Sequence, residues 1–377
     1  MTRTAPGTED TLQARARFFH DAFARWLAEP GVTIACGRWA EGAISEIMPM
    51  GRATLLPGVY DDCFSGIREV RLDGQPHHLH IDFGRVHAFS YTVAPSVCMA
   101  FKPSFEVRLL VIGPGGLPSD RWIVSLMLAA PYKDGALDHP AIVAFFQRAQ
   151  RDAAERPDLV ELQVDPAVRG GPVAPQILAA IAEATGQSSV PSWPEALAAL
   201  CPASASSADP ASDPLCLDML RQTLALRDAS LVIFRDRALI EFKTERLDGL
   251  HRHEEDGYVS WQIGAQDDHH CHLSLGIVVR VLFSAEPVSC QGGGLNYTVW
   301  FLSAGPSGNP YRRDGYFSIV LNRPYTGDQP RLDVIDPVFD LYRRHRHEAW
   351  VDADETFLRV LAAGAPKRSE PDGPKPG

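Results

Sequence analysis

The chain repeats itself, and that repeat limits its fold more than any other feature. Asp73 to Gly84 in the first half returns as Ala265 to Gly276 in the second, with His77-His78-Leu79-His80 laid on His269-His270-Cys271-His272. The offset of 192 runs without a gap from His77 to Pro118, and 13 of those 42 positions are identical, among them Gly84/Gly276, Pro95/Pro287, Cys98/Cys290 and Gly113/Gly305. Further on, Ser125 to Leu128 matches Ser318 to Leu321 and Pro131-Tyr132 matches Pro324-Tyr325, while Ala43 to Glu46 can be laid on Ala238 to Glu241. Self-similarity of this kind marks a duplicated structural unit. The expectation is an α+β chain of two tandem homologous modules, each a curved, mostly antiparallel β-sheet flanked by helices.

The boundaries follow from composition. Residues 202–214, rich in Ala, Ser, Asp and Pro, lack the apolar surface that offsets the entropy of ordering and read as a linker. That gives an N-terminal module over 1–201, a C-terminal module over 215–363 and a disordered tail over 364–377. Apolar residues at helical spacing predict helices over 11–29, 140–151, 174–185, 193–200, 215–226 and 337–362. Aromatic and β-branched enrichment predicts strands at 86–93, 107–112 and 122–128, and more strands between 230 and 321.

Composition also narrows the function classes. A net charge of −11 argues against a general nucleic-acid binder. No apolar run reaches the ~18–20 residues of a membrane helix, and the first ten residues show no apolar signal region. The 7 cysteines form no C-x-x-C pair, which fits reduced thiols in a cytoplasm. A homodimer is compatible with all of this.

On a strand, side chains alternate between faces, so His78, His80 and Asp82 share one face and Leu79, Ile81 and Phe83 the other. His270 and His272 sort in the same way against Cys271 and Leu273. Two imidazoles two residues apart on a strand can meet one metal ion, or give one axial ligand and its neighbour. The alternative is surface histidines on a solvated sheet face. His251, His253 and the run Arg343 to His347 have no counterpart in the other half and read as solvated charge. Cys98 and Cys290 read as small buried fillers.

With these residues in view, the order of segments resembles the HemS/ChuX/HutX haem-utilisation superfamily. The resemblance runs through His78 to Asp82, Ala88 to Pro95, Phe105 to Leu110, Gly113 to Gly116 and Trp122 to Leu128, and again from His272 to Leu321. The family's Arg-Pro-Phe-Met-Gly element is replaced here by Val93-Ala94-Pro95 and Ala285-Glu286-Pro287. The resemblance implies an intracellular protein that binds haem or a related tetrapyrrole, for haem handling or degradation. His78, His80, His270 and His272 are then the axial-ligand candidates, and Arg85, Arg108, Arg280 or Arg312 pair with propionates. Trp122, Tyr91, Phe89 and Phe283 would flank the macrocycle. Two other classes stay open: an enzyme that is haem-dependent or holds non-haem Fe or Zn on the paired histidines, and a non-catalytic duplicated interaction scaffold.

Overall fold

The structure is a computed structural model and describes residues 6–29, 32–36, 43–47, 54–57, 67–71, 78–96, 102–112, 118–128, 130–188, 215–235, 238–243, 249–255, 258–264, 270–273, 275–287, 294–303 and 317–364. In the first half, α1 (Pro6–Leu27) precedes β1 (Val32–Cys36), β2 (Ala43–Ile47), β3 (Thr54–Pro57), β4 (Ile67–Arg71) and β5 (His78–Asp82). After a 3-10 turn at Phe83–Arg85 come β6 (Val86–Pro95), β7 (Pro103–Ile112), β8 (Pro118–Leu128) and a small hairpin of β9 (Tyr132–Lys133) and β10 (Ala136–Leu137). Then follow α2 (His139–Glu155), β11 (Val160–Val164), α3 (Pro166–Arg169) and α4 (Ala174–Thr185).

The second half opens with α5 (Leu217–Leu224), followed by β12 (Ala229–Arg235), β13 (Ala238–Lys243), β14 (Leu250–Glu255), β15 (Tyr258–Gly264) and β16 (His270–Leu273). A 3-10 turn at Leu275–Ile277 leads to β17 (Val278–Pro287), β18 (Leu295–Ser303), β19 (Phe317–Leu321) and a hairpin of β20 (Tyr325–Thr326) and β21 (Gln329–Pro330). The chain closes with α6 (Leu332–His345), β22 (Val351–Ala353) and α7 (Glu355–Ala363). The helix expected over 193–200 and the linker at 202–214 lie outside the described residues. The single terminal helix expected over 337–362 is instead two helices with β22 between them.

These strands build two nine-stranded sheets, and neither is made from one half alone. The first runs β11-β6-β7-β8-β1-β2-β16-β15-β14, and the second β22-β17-β18-β19-β12-β13-β5-β4-β3. Each half therefore sends three strands, including its histidine strand, into the sheet of the other. The expectation of a separate sheet in each half is corrected by this exchange. The pairing is antiparallel except at one edge of each sheet, where β11 runs parallel to β6 and β22 parallel to β17. A β-bulge sits at Val86/Ala88 in the first sheet and at Val278/Arg280 in the second.

Alternation decides what each face meets. On the first sheet Phe89, Tyr91, Val93, Phe105, Val107, Leu109, Val124 and Leu126 enter the apolar core with residues of α1, α2 and α4. On the second, Phe283, Tyr297, Val299, Phe301 and Ile319 do so with α6 and α7. Burying each such large side chain contributes about 1.5–3 kcal/mol. The reverse faces are also buried, yet polar: Ser90, Thr92, Ser104, Glu106 and Ser125 on one sheet, and Ser230, Ser284, Thr298 and Ser318 on the other. The sheets approach one another along their middle strands, β1 against β12 and β13, and β2 against β12. No helix among the described residues is long and apolar enough to cross a membrane.

Candidate functional site

The histidine strands lie inside the sheets. In the first sheet β16 runs between β2 and β15, with His270 opposite Glu46 and Gly264, and His272 opposite Ile44 and Gln262. In the second, β5 runs between β13 and β4, with His78 opposite Glu241, and His80 opposite Leu239 and Glu69. Both thus set a histidine against a glutamate contributed by the other half of the chain.

His270 and His272 sit on one face of β16, as the alternation predicts. Their ring centroids are 5.1 Å apart and their planes nearly perpendicular, at 88°. Both are buried, at 3% and 6% exposure, which sets aside the reading of solvated surface histidines for this pair. Cys271 and Leu273 between and beyond them point into the apolar core. For His78 and His80 the strand positions are described, whereas their side chains, like that of Asp82, lie outside the described residues.

Register carries each site across its sheet. Ser90, Arg108, Ser125, Ala35, Glu46 and His270 occupy one row on six adjacent strands. Leu282, Trp300, Ser318, Val232, Glu241 and His78 occupy the corresponding row of the second sheet. Arg108 and His270 are four strand spacings apart, about 19 Å at ~4.8 Å per strand.

Glu106 is the centre of the polar face on the first sheet. It accepts hydrogen bonds from the hydroxyls of Ser104 and, at 2.9 Å, Ser125, and from Arg108 Nε at 2.8 Å. Burial alone would raise its pKa, but the Arg108 charge and these three bonds together hold the carboxyl below its usual range. Sequence reasoning missed Glu106, although the match of Ser125 to Ser318 had flagged its neighbour.

The remaining site candidates are distributed as follows. Arg108 is a buried-pair cation bound to Glu106, Arg280 pairs with Asp352 at 3.0 Å, and Arg85 is exposed at the turn after β5. Arg312, Cys98, Cys290 and the Trp122 side chain lie outside the described residues. Tyr91, Phe89 and Phe283 face the helices inside the core, so their expected place beside a macrocycle is corrected. They stand on odd-numbered positions of their strands, on the face opposite Ser90, Thr92 and Ser284. His251 is exposed on the edge strand β14, in register with Gln262. Arg343, in the last turn of α6, pairs with Asp340. Among the described residues no group of three or more His, Cys, Asp or Glu side chains is placed to hold a metal ion.

No family model matches the chain, and no curated protein matches it. Among solved structures, the Escherichia coli O157:H7 heme degrading enzyme ChuS is similar with a TM-score of 0.35 and 10% identity, over 85% of this chain and 84% of that one. This is a distant likeness of fold.

Proposed function

We propose that the protein binds haem or a related tetrapyrrole inside the cell and takes part in its handling or degradation. One observation carries this reading: His270 and His272 lie side by side, buried, on one face of a strand within the first sheet. Neutral imidazole nitrogen is the donor class that ferric and ferrous haem accept. A buried polar sheet face supplies the second requirement, because it can shield a large apolar ring while satisfying polar edges. These residues fit the group. His270 and His272 are the axial candidates, with His78 and His80 holding the corresponding positions of the second sheet.

Arg85, exposed, is the cation offered to carboxylate arms, since Arg108 is already engaged by Glu106. Bound haem would supply redox-active iron, while this chain would fix its orientation and exclude water. The reading also takes the chain as two homologous modules, 1–201 and 215–363. Their shared strand order and matching bulges support that division.

The test is titration of the purified chain with hemin, followed by absorption spectroscopy. A shifted Soret band that weakens in His270→Ala or His272→Ala is expected. A spectrum equal to free hemin removes the proposal, and stoichiometric Zn or Fe without porphyrin absorbance would favour the non-haem metal enzyme instead.

A further inference from the structure

The outermost strand of the first sheet carries a charge order that a second copy of the chain would complete. β14 pairs with β15 on one side and, among the described residues, with no strand on the other. It is 6 residues long, against 5 for β11, 4 for β3 and 3 for β22, the other strands at the sheet margins. β3, which ends the second sheet as β14 ends the first, also finishes on Pro57, which has no N–H to give. β14 contains no proline and so offers the longest row of backbone donors and acceptors of the four. His251 and Arg252 are exposed on it.

The strand reads Leu250-His251-Arg252-His253-Glu254-Glu255, basic first and acidic last. Charge on an edge strand ordinarily discourages a further strand. That guard works when the newcomer carries the same sign at the facing positions, as two lysine-bearing edges do. Here the order is reversed in an antiparallel copy, so the basic end of one strand lies along the acidic end of the other.

Symmetry then selects the register. Two identical antiparallel strands related by a two-fold axis set one residue opposite itself, because the axis passes midway between directly opposed residues. An axis at Arg252 opposes two arginines, and an axis at Glu254 opposes two glutamates, both of which are destabilising. An axis at Leu250, His251 or Glu255 leaves most of β14 without a partner strand. An axis at His253 pairs every position from His251 to Glu255, with Arg252 opposite Glu254 and His251 opposite Glu255, each twice over. Opposite charges directly across a ladder stabilise it.

We infer that β14 is a docking edge for the β14 of a second copy, antiparallel and in the register centred on His253. The first sheets of the two copies then join edge to edge. A ladder of this length alone falls short of the ~1,200 Å² of a stable interface, so the dimer dissociates on dilution, and its exposed ion pairs make it weaker in high salt. The inference does not rest on the haem reading, since no residue of β14 is among the ligand candidates.

Sedimentation velocity of the full chain over a range of concentrations reads the association. A reversible monomer to dimer equilibrium that weakens with salt is expected. Arg252→Glu and Glu254→Arg should each weaken self-association at least about tenfold. An equimolar mixture of these two variants should dimerise again, because each offers the charge that the other lacks. His253→Cys should give a covalent dimer on mild oxidation that the parent chain does not give, since directly opposed residues have Cα atoms about 4.5–5.5 Å apart, within disulfide reach. Arg252→Cys, whose two copies are not opposed in this register, should give none. A chain that stays monomeric at every concentration, self-association that Arg252→Glu leaves unchanged, a variant mixture that fails to dimerise where the parent does, or crosslinking in Arg252→Cys but not in His253→Cys would each overturn the assignment.

Discussion

The Tyr91 hydroxyl donates a 2.6 Å hydrogen bond to Asp152 Oδ2 and accepts one from Trp26 Nε1 at 3.1 Å. Arg25 closes the group by donating to Asp152 Oδ1 at 3.1 Å. Three elements of the first half, α1, β6 and α2, are thereby tied together inside the apolar core. Desolvation, then the charge of Asp152, pushes the Tyr91 pKa well above its ordinary value, so the phenol stays a donor.

Tyr91→Phe is therefore expected to destabilise the protein by about 1–3 kcal/mol, because it strips Asp152 and Trp26 of a partner without opening a cavity. Urea unfolding checks the size, and hemin binding measured alongside should be unchanged, since Tyr91 faces the helices. A loss of hemin binding with stability intact would put Tyr91 back beside the ligand.

Much of the local structure was legible in the sequence. The helix expected over 174–185 is α4 to the residue, and the strand expected over 86–93 lies inside β6, because side-chain periodicity is a local property. The facing of His270 and His272 followed from the same alternation. Their depth did not. Periodicity tells which side of a strand a residue takes, but it is silent on which sheet the strand joins. Neighbours in sequence usually pair, and nothing in Asp73 to Gly84 announces that β5 crosses to β13. The site frame was hidden for the same reason: Glu46 and His270 are 224 positions apart in the chain and meet only through the exchange.

The exchange itself makes a prediction. Each sheet takes three of its strands from the other half, so the backbone hydrogen bonds of β16 with β2 and of β5 with β13 hold the halves together. A protease site inserted within 202–214 and cut under native conditions should leave one particle of unchanged size by size-exclusion chromatography. The pieces should part only in denaturant. Spontaneous separation after cutting would contradict the strand order.

Both buried histidines can be tested against a histidine on the rim. His270→Ala and His272→Ala should each weaken hemin binding at least about tenfold, about 1.4 kcal/mol. His251→Ala, on the exposed edge strand, should not. Circular dichroism of each variant separates lost binding from lost fold. Equal behaviour of all three variants would detach the histidine pair from the ligand.

Acid should act on the protein through Glu106. Its carboxyl has a lowered pKa in the folded chain, so the folded state binds this proton less readily than the unfolded state, where the carboxyl titrates near ~4.3. The stabilisation is fully present above that unfolded value and is lost as pH falls through the folded one. Stability of the native protein is thus expected to decline more steeply below about pH 4.3 than that of Glu106→Gln. At neutral pH the variant removes the carboxylate that pairs with Arg108 Nε and accepts from the Ser104 and Ser125 hydroxyls, at a cost of about 1–3 kcal/mol. Urea midpoints measured from pH 3 to pH 7 on both proteins decide the matter. Parallel curves would mean that the Glu106 carboxylate contributes no pH-dependent stability, and that the Ser104 and Ser125 hydroxyls hold a glutamine amide equally well.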